Sequence, residues 1–233
     1  MTLPDPKINN PKIDKSEPEH EGVIKFSYHH ISDPLPSHNH AITAPLFEWR
    51  ELLFARGMIG GGDPSRYHGD GFGNLSVRLP ESRRETCPQF LITGSQTGHL
   101  SSISLTELAY IRTYSITRME VESQGEVLPS SESLTHAMIY QLHEEISWVF
   151  HVHSPDLWRA RSQLDLPSTP IDVPYGTQEM ASAVEQIFIH QGSPTSLVFA
   201  MAGHEDGIIS FGHHADEAGT PLLKLYAKLN DQY

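Results

Sequence analysis

The chain has a single cysteine, Cys87, among its 233 residues. An internal disulfide and a multi-cysteine zinc site are therefore excluded, and the composition fits a reducing compartment. Positive charge is also scarce: 16 Lys and Arg stand against 29 Asp and Glu, a formal net charge of −13. Nucleic acid and anionic membranes both demand a cationic face, so neither is an expected partner, and any anionic ligand must be held by local donors. No apolar run approaches the length of a membrane span, and Met1-Thr2-Leu3-Pro4-Asp5-Pro6-Lys7 lacks the charged-then-apolar pattern of a signal peptide. A cytoplasmic protein acting on a small molecule is the expectation. With 38% hydrophobic and 19% charged residues, the chain can bury one ordinary globular core.

Order is unevenly distributed. Seven of the 17 prolines fall in the first 45 residues, beside polar runs such as Lys15-Ser16-Glu17-Pro18-Glu19-His20. Residues 1–44 therefore read as an extended arm, partly disordered or packed on a neighbour, with at most a short strand near Val23–Tyr28. The compact domain is expected over residues 45–233. Apolar spacing predicts helices over Phe47–Arg56, Thr106–Met119, Ser131–Glu145, Gln178–His190 and Asp216–Asn230. Strands are predicted at Gly73–Leu79, Gln89–Thr93, Ile146–Phe150 and Leu197–Met201. This interleaving favours an α/β layered domain over a helical bundle.

Histidine is the residue in surplus, with 15 copies. Chance alone gives about one His-x-His pair at that abundance, and two occur, His38/His40 and His151/His153. The first lies among Pro34, Pro36, Ser37 and Asn39, where no regular element holds it. The second ends the apolar run Ile146-Ser147-Trp148-Val149-Phe150, so strand alternation points both rings to one face. Borderline-soft divalent metals such as zinc take imidazole nitrogens and keep a position open when they do catalytic work. Glu132 has a competing, innocent reading as an acidic residue opposing a helix dipole after Pro129 and Ser130. His204, between Gly203 and Gly207, can equally be a loop residue at a strand end.

Five short motifs in order give the pattern its specificity: Gly73-Asn74-Leu75-Ser76; Phe90-Leu91-Ile92-Thr93 with Thr97-Gly98; Leu128-Pro129-Ser130-Ser131-Glu132 with His136 and Tyr140; His151-Val152-His153-Ser154; and His204 before Gly207. Together they resemble the class II aldolase/adducin-like family over residues 45 to 230. The resemblance implies a central antiparallel β-sheet flanked by helices on both sides, a zinc ion or another divalent transition metal, and a homo-oligomer, commonly a cyclic tetramer with active sites at subunit boundaries. Carried over by position, it makes His151, His153 and His204 the metal ligands and Glu132 the acid/base, able also to ligate the resting metal. Gly73, Asn74, Thr97, Gly98, Ser130 and Ser131 become the phosphate-binding set. The family's additional tyrosine has only loose counterparts in Tyr226 and Tyr233.

The implied chemistry is lyase chemistry: retro-aldol cleavage of a small hydroxy-ketone or sugar phosphate, with the metal stabilising the enediolate. The alternatives are a non-catalytic adducin-like assembly module and an epimerase or dehydratase on the same metal scaffold. A cupin would need a glutamate shortly after the His-x-His pair, and Asp156 and Trp158 do not supply it. A TIM barrel would need more strand-helix units than this chain holds. Two departures from the family are visible in the sequence. The loop Thr93-Gly94-Ser95-Gln96-Thr97-Gly98 is two residues longer than the family's compact turn if Thr97-Gly98 is the equivalent pair, and Glu205 and Asp206 add carboxylates beside His204.

Overall fold

In the computed structural model, which describes residues 7–9, 20–35 and 40–230, one nine-stranded sheet runs through the molecule. Its strands are β1 (Lys7–Asn9), β2 (Ser27–Ile31), β3 (Asn74–Arg78), β4 (Phe90–Thr93), β5 (Leu108–Ser115), β6 (Glu120–Gln124), β7 (Trp148–His153), β8 (Leu197–Ala200) and β9 (Gly207–Gly212). They lie in the order β1-β2-β6-β5-β4-β3-β7-β9-β8. Neighbours run antiparallel except β2 and β6, which are parallel. Five α-helices cover the two faces: α1 (His40–Phe54), α2 (Ser133–Leu142), α3 (Pro155–Arg159), α4 (Gln178–His190) and α5 (Ala215–Asn230).

Strand alternation divides the core in two. Phe90, Ile92, Val149, Ile209 and Phe211 point to one face and pack with Leu134 and Ile139 of α2 and Val184 and Phe188 of α4. Leu75, Val77, Phe150, Val152 and Ile208 point to the other and meet Leu46 and Leu53 of α1, Leu157 of α3 and Leu222 of α5. His151 and His153 share the face of Val149, beneath the α2 and α4 layer. The α/β architecture is thus a mixed central sheet with helices on both sides. None of the described helices is long and apolar enough to cross a membrane.

The segment Thr106–Met119 is not a helix. Ser104 and Glu107 form a capping box over a single 3-10 turn, and the chain then runs on as β5 between β4 and β6. Leu108 faces one core while Ala109 and Ile111 face the other. The first half of β5 is covered on both faces, and its apolar run Leu108–Ile111 hides the period of two. Two further strands lack a sequence signal: β6 buries only Val121 and Ser123 of its five residues, and β9 emerges from a glycine-rich loop. Helix α1 begins at His40, and β2 lies at Ser27–Ile31, so the sheet takes in residues that sequence reasoning assigns to the arm. His38 and Tyr233 lie outside the described residues.

Candidate metal centre

Strand β7 delivers His151 and His153 side by side on its α2 face, and the turn between β8 and β9 brings His204 to meet them. The Nε2 atom of His153 lies 3.1 Å from Nε2 of His151 and 3.2 Å from Nε2 of His204. All three side chains are buried. A tetrahedron with metal–nitrogen bonds of about 2.0–2.1 Å has edges of about 3.3 Å, so the His153 nitrogen already sits at ligand spacing from both of the others. Burial pulls the pKa of His151 well below the ordinary imidazole value and that of His204 to about 3. Both rings are therefore neutral, the form that ligates metals.

Two carboxylates complete the cluster. Glu132, the residue preceding α2, places Oε2 3.3 Å from His151 Nε2 and Oε1 3.6 Å from His204 Nε2. Its side chain is fully buried and neither oxygen has a hydrogen-bond partner. An unpartnered buried carboxylate beside three imidazole lone pairs is costly unless a cation is there to share. Burial, reinforced by the neighbouring charge of Glu21, raises the Glu132 pKa well above the carboxylate range, while Lys25 and Asn74 act in the other direction. Helix-dipole stabilisation, the innocent reading of Glu132, does not account for a side chain aimed at His151.

The second carboxylate is Glu21, which sequence reasoning misses. Its Oε1 lies 3.5 Å from His153 Nε2 and 3.6 Å from His204 Nε2. Glu21, His151, His153 and His204 offer ligand atoms that all fall within 4.8 Å of one another. The donor set of three imidazoles and carboxylate oxygen suits zinc or a related divalent transition metal. Only the charge of Glu21, beside three core histidines, could have marked it, and the Pro-rich run before it carries no periodic pattern.

The six residues expected to bind phosphate do converge. Gly73, Asn74, Thr97, Gly98, Ser130 and Ser131 line one small cavity, joined by Ser95, Gln96, Glu21 and Gly22. The lengthened loop is held from below by Arg50 of α1, buried to 1% exposure, whose guanidinium donates to the carbonyls of Thr97 and Gly98 at 3.0 Å each and to that of Leu100. Gly73 has φ +77, and a Cβ there would sit 2.9 Å from Ile59. A larger cavity of about 420 Å³ opens on the other side of Glu21, between Tyr67, His68, Tyr175, His204 and Glu205.

Other expectations resolve differently. Tyr226 is not brought to the cluster within this chain: on α5 it packs with the core on the opposite face of the sheet. His136, buried in the core as its place on the sheet-facing side of α2 suggests, has the Ser76 hydroxyl 2.7 Å from its Nδ1, and that hydroxyl lies 2.7 Å from the Tyr140 hydroxyl. Asp206, at φ +62, accepts a 2.6 Å hydrogen bond from the Tyr67 hydroxyl rather than facing the imidazole nitrogens. Tyr67 itself has φ +47 and sets its ring edge-on to His153, with centroids 4.8 Å apart.

Comparison with known proteins agrees with this fold. Among solved structures, an L-fuculose 1-phosphate aldolase superposes with a TM-score of 0.59 at 18% identity, covering 84% of this chain and 86% of its own. YgbL from Klebsiella pneumoniae, described as a candidate aldolase/epimerase/decarboxylase, superposes with a TM-score of 0.58 at 19% identity, covering 84% and 89%. An aldolase II superfamily protein from Pseudomonas syringae gives 0.54 at 15%, covering 85% and 77%. At such identities the likeness is one of fold. Sequence comparison with curated proteins gives no match. The sequence profile of the Class II Aldolase and Adducin N-terminal domain, however, matches residues 65–223, from within the glycine-rich loop before strand β3 to within α5. The chain belongs to the class II aldolase and adducin family.

Proposed function

We propose that the protein is a metal-dependent lyase that cleaves the carbon–carbon bond of a small hydroxy-ketone in the retro-aldol direction. The observation that carries this reading is the buried convergence of His151, His153 and His204 with the unpartnered carboxyl of Glu132. The three imidazoles would hold zinc or a related divalent ion. When bound, that ion supplies Lewis-acid stabilisation of negative charge on the carbonyl oxygen and the adjoining hydroxyl oxygen. Glu132 is the acid/base: burial raises its proton affinity, so it can take the proton lost by the hydroxyl that becomes the aldehyde and deliver it to the carbon left electron-rich by cleavage. The apolar layer of α2 and α4 excludes water from that carbon.

Family membership supports the reading, and the alternative of a pure assembly module leaves four buried metal-competent groups, and Glu21 beside them, without a use. On the same reading, residues 45–233 form the catalytic domain, the preceding arm lends it Glu21, and the protein works as a homotetramer in the cytoplasm. The test is a panel of ketoses and ketose phosphates assayed with zinc-loaded wild type and Glu132→Gln. Cleavage of a panel member by the wild type, lowered by about 10²–10⁴ in the variant at unchanged zinc content, is the expected result. Unaltered turnover in the variant removes the acid/base role. Zinc-loaded wild type that cleaves nothing removes the lyase reading.

A further inference from the structure

Glu21 stands at a partition. It lines both the 420 Å³ basin and the small cradle formed by the hydroxyl and amide residues. The peptide around it is clamped from several sides. The Tyr175 hydroxyl donates to the His20 carbonyl at 2.6 Å and accepts from the Val23 amide at 3.2 Å. The Gln96 side chain donates to the Glu21 carbonyl at 3.4 Å and accepts from the Gly71 amide at 2.7 Å. Gly22 adopts φ +75, a backbone conformation that favours glycine.

The consequence for the cradle is steric and electrostatic. The space in it that the centre of a water-sized sphere can reach is about 10 Å³, room for about one water and less than a phosphate needs. Neither cavity is lined by Lys or Arg, and Glu21 adds a carboxylate to both. The ammonium of Lys25, on the same segment, donates to the Tyr175 carbonyl at 2.8 Å and lines neither cavity. A phosphate dianion entering here would find no cationic side chain to meet it, only the Glu21 carboxylate already engaged with the imidazole cluster.

We propose that Glu21 closes the cradle to phosphate, so that the substrate of this chain is an unphosphorylated hydroxy-carbonyl compound admitted through the basin, with Glu21 as the specificity-determining residue. This deepens the reading of the metal centre given above and rests on it. The basin suits such a ligand: Ser65, Tyr67, His68 and Glu205 offer hydroxyl, imidazole and carboxylate partners to a neutral polyol.

The experiment is a calorimetric titration of inorganic phosphate into zinc-loaded wild type and Glu21→Ala, with free zinc removed and zinc content measured in both. Wild type is expected to show no binding in the millimolar range, and the variant to bind at least about tenfold more tightly than the wild-type limit. Glu21→Ser, small and uncharged but able to hydrogen-bond, replaces the alanine variant should that one lose zinc or melt early. Equal phosphate affinity in wild type and variant, or no binding by either, overturns the proposal. The titration reads binding alone, so it decides this point even if no ketose is cleaved, and failure of the lyase reading is seen separately in the turnover panel.

Discussion

Tyr175→Phe isolates the attachment of the strap from everything else the tyrosine does. Residue 175 is buried to 1% exposure, with its ring against His204 at a centroid distance of 4.5 Å and beneath the Lys25 ammonium at 3.7 Å. Phenylalanine preserves both contacts. What disappears are the hydroxyl's two bonds, to the His20 carbonyl and from the Val23 amide. Each such bond contributes a net 0.5–1.5 kcal/mol or so. Val23 is 45% exposed, so water replaces part of the loss and the total falls at the lower end, about 1–2 kcal/mol. That energy corresponds to roughly 5- to 30-fold more frequent detachment of residues 20–25. Hydrogen exchange reads it directly: the Val23 amide should exchange faster by that factor, while the amides of β7 and β9 keep their protection and zinc content is unchanged. An unaltered Val23 rate would refute the clamp. So would a uniform acceleration across the sheet, which would show that the hydroxyl supports the core and not the strap.

Two other outcomes follow from particular contacts. Burial drives the His136 pKa down to about 3, whereas the unfolded chain titrates near 6.5. Between those values the unfolded state binds more protons. Stability is therefore fully present above pH 6.5 or so and is lost as pH falls toward 3, by up to about 1.4 kcal/mol per pH unit for this one group. Chemical denaturation of metal-free protein should show a slope shallower by that amount in His136→Gln, and coincident slopes would contradict the assignment. A Cβ at position 98 would lie 2.2 Å from the Gly60 carbonyl oxygen and 2.9 Å from the Phe72 amide nitrogen, both backbone atoms. Gly98→Ala should therefore cost about 1–3 kcal/mol in denaturation, and wild-type stability would mean that the loop is not packed as described.

The parts of the site that could be read from the chain are those carried by local pattern. His151 and His153 declare themselves because a buried strand turns alternate residues to one face, and the paired serines before Glu132 mark a helix start. His204 needed the order of motifs, since a histidine between glycines has no local signal of its own. Glu21 was invisible for a physical reason. Its position is set by the grip of Tyr175 and Gln96, which lie 154 and 75 residues away in sequence, and no period or cap betrays a contact at that range. The fold shows the same division. Helix α4 runs from Gln178 to His190 as its spacing demands, with Thr177 accepting a hydrogen bond from the Met180 amide. Strand β5 was misread because both faces of its first half are covered, and Arg50, a charged helix residue, gave no hint that three carbonyls of the cradle loop would bury it.

The account depends on three imidazoles meeting around one cation. Metal analysis of the dialysed protein tests this most directly, with His204→Ala as the comparison. The wild type should retain about one zinc per chain, and the variant, reduced to the two histidines of one strand, should retain far less. Wild type that holds no metal, or a variant that keeps the full complement, would contradict it.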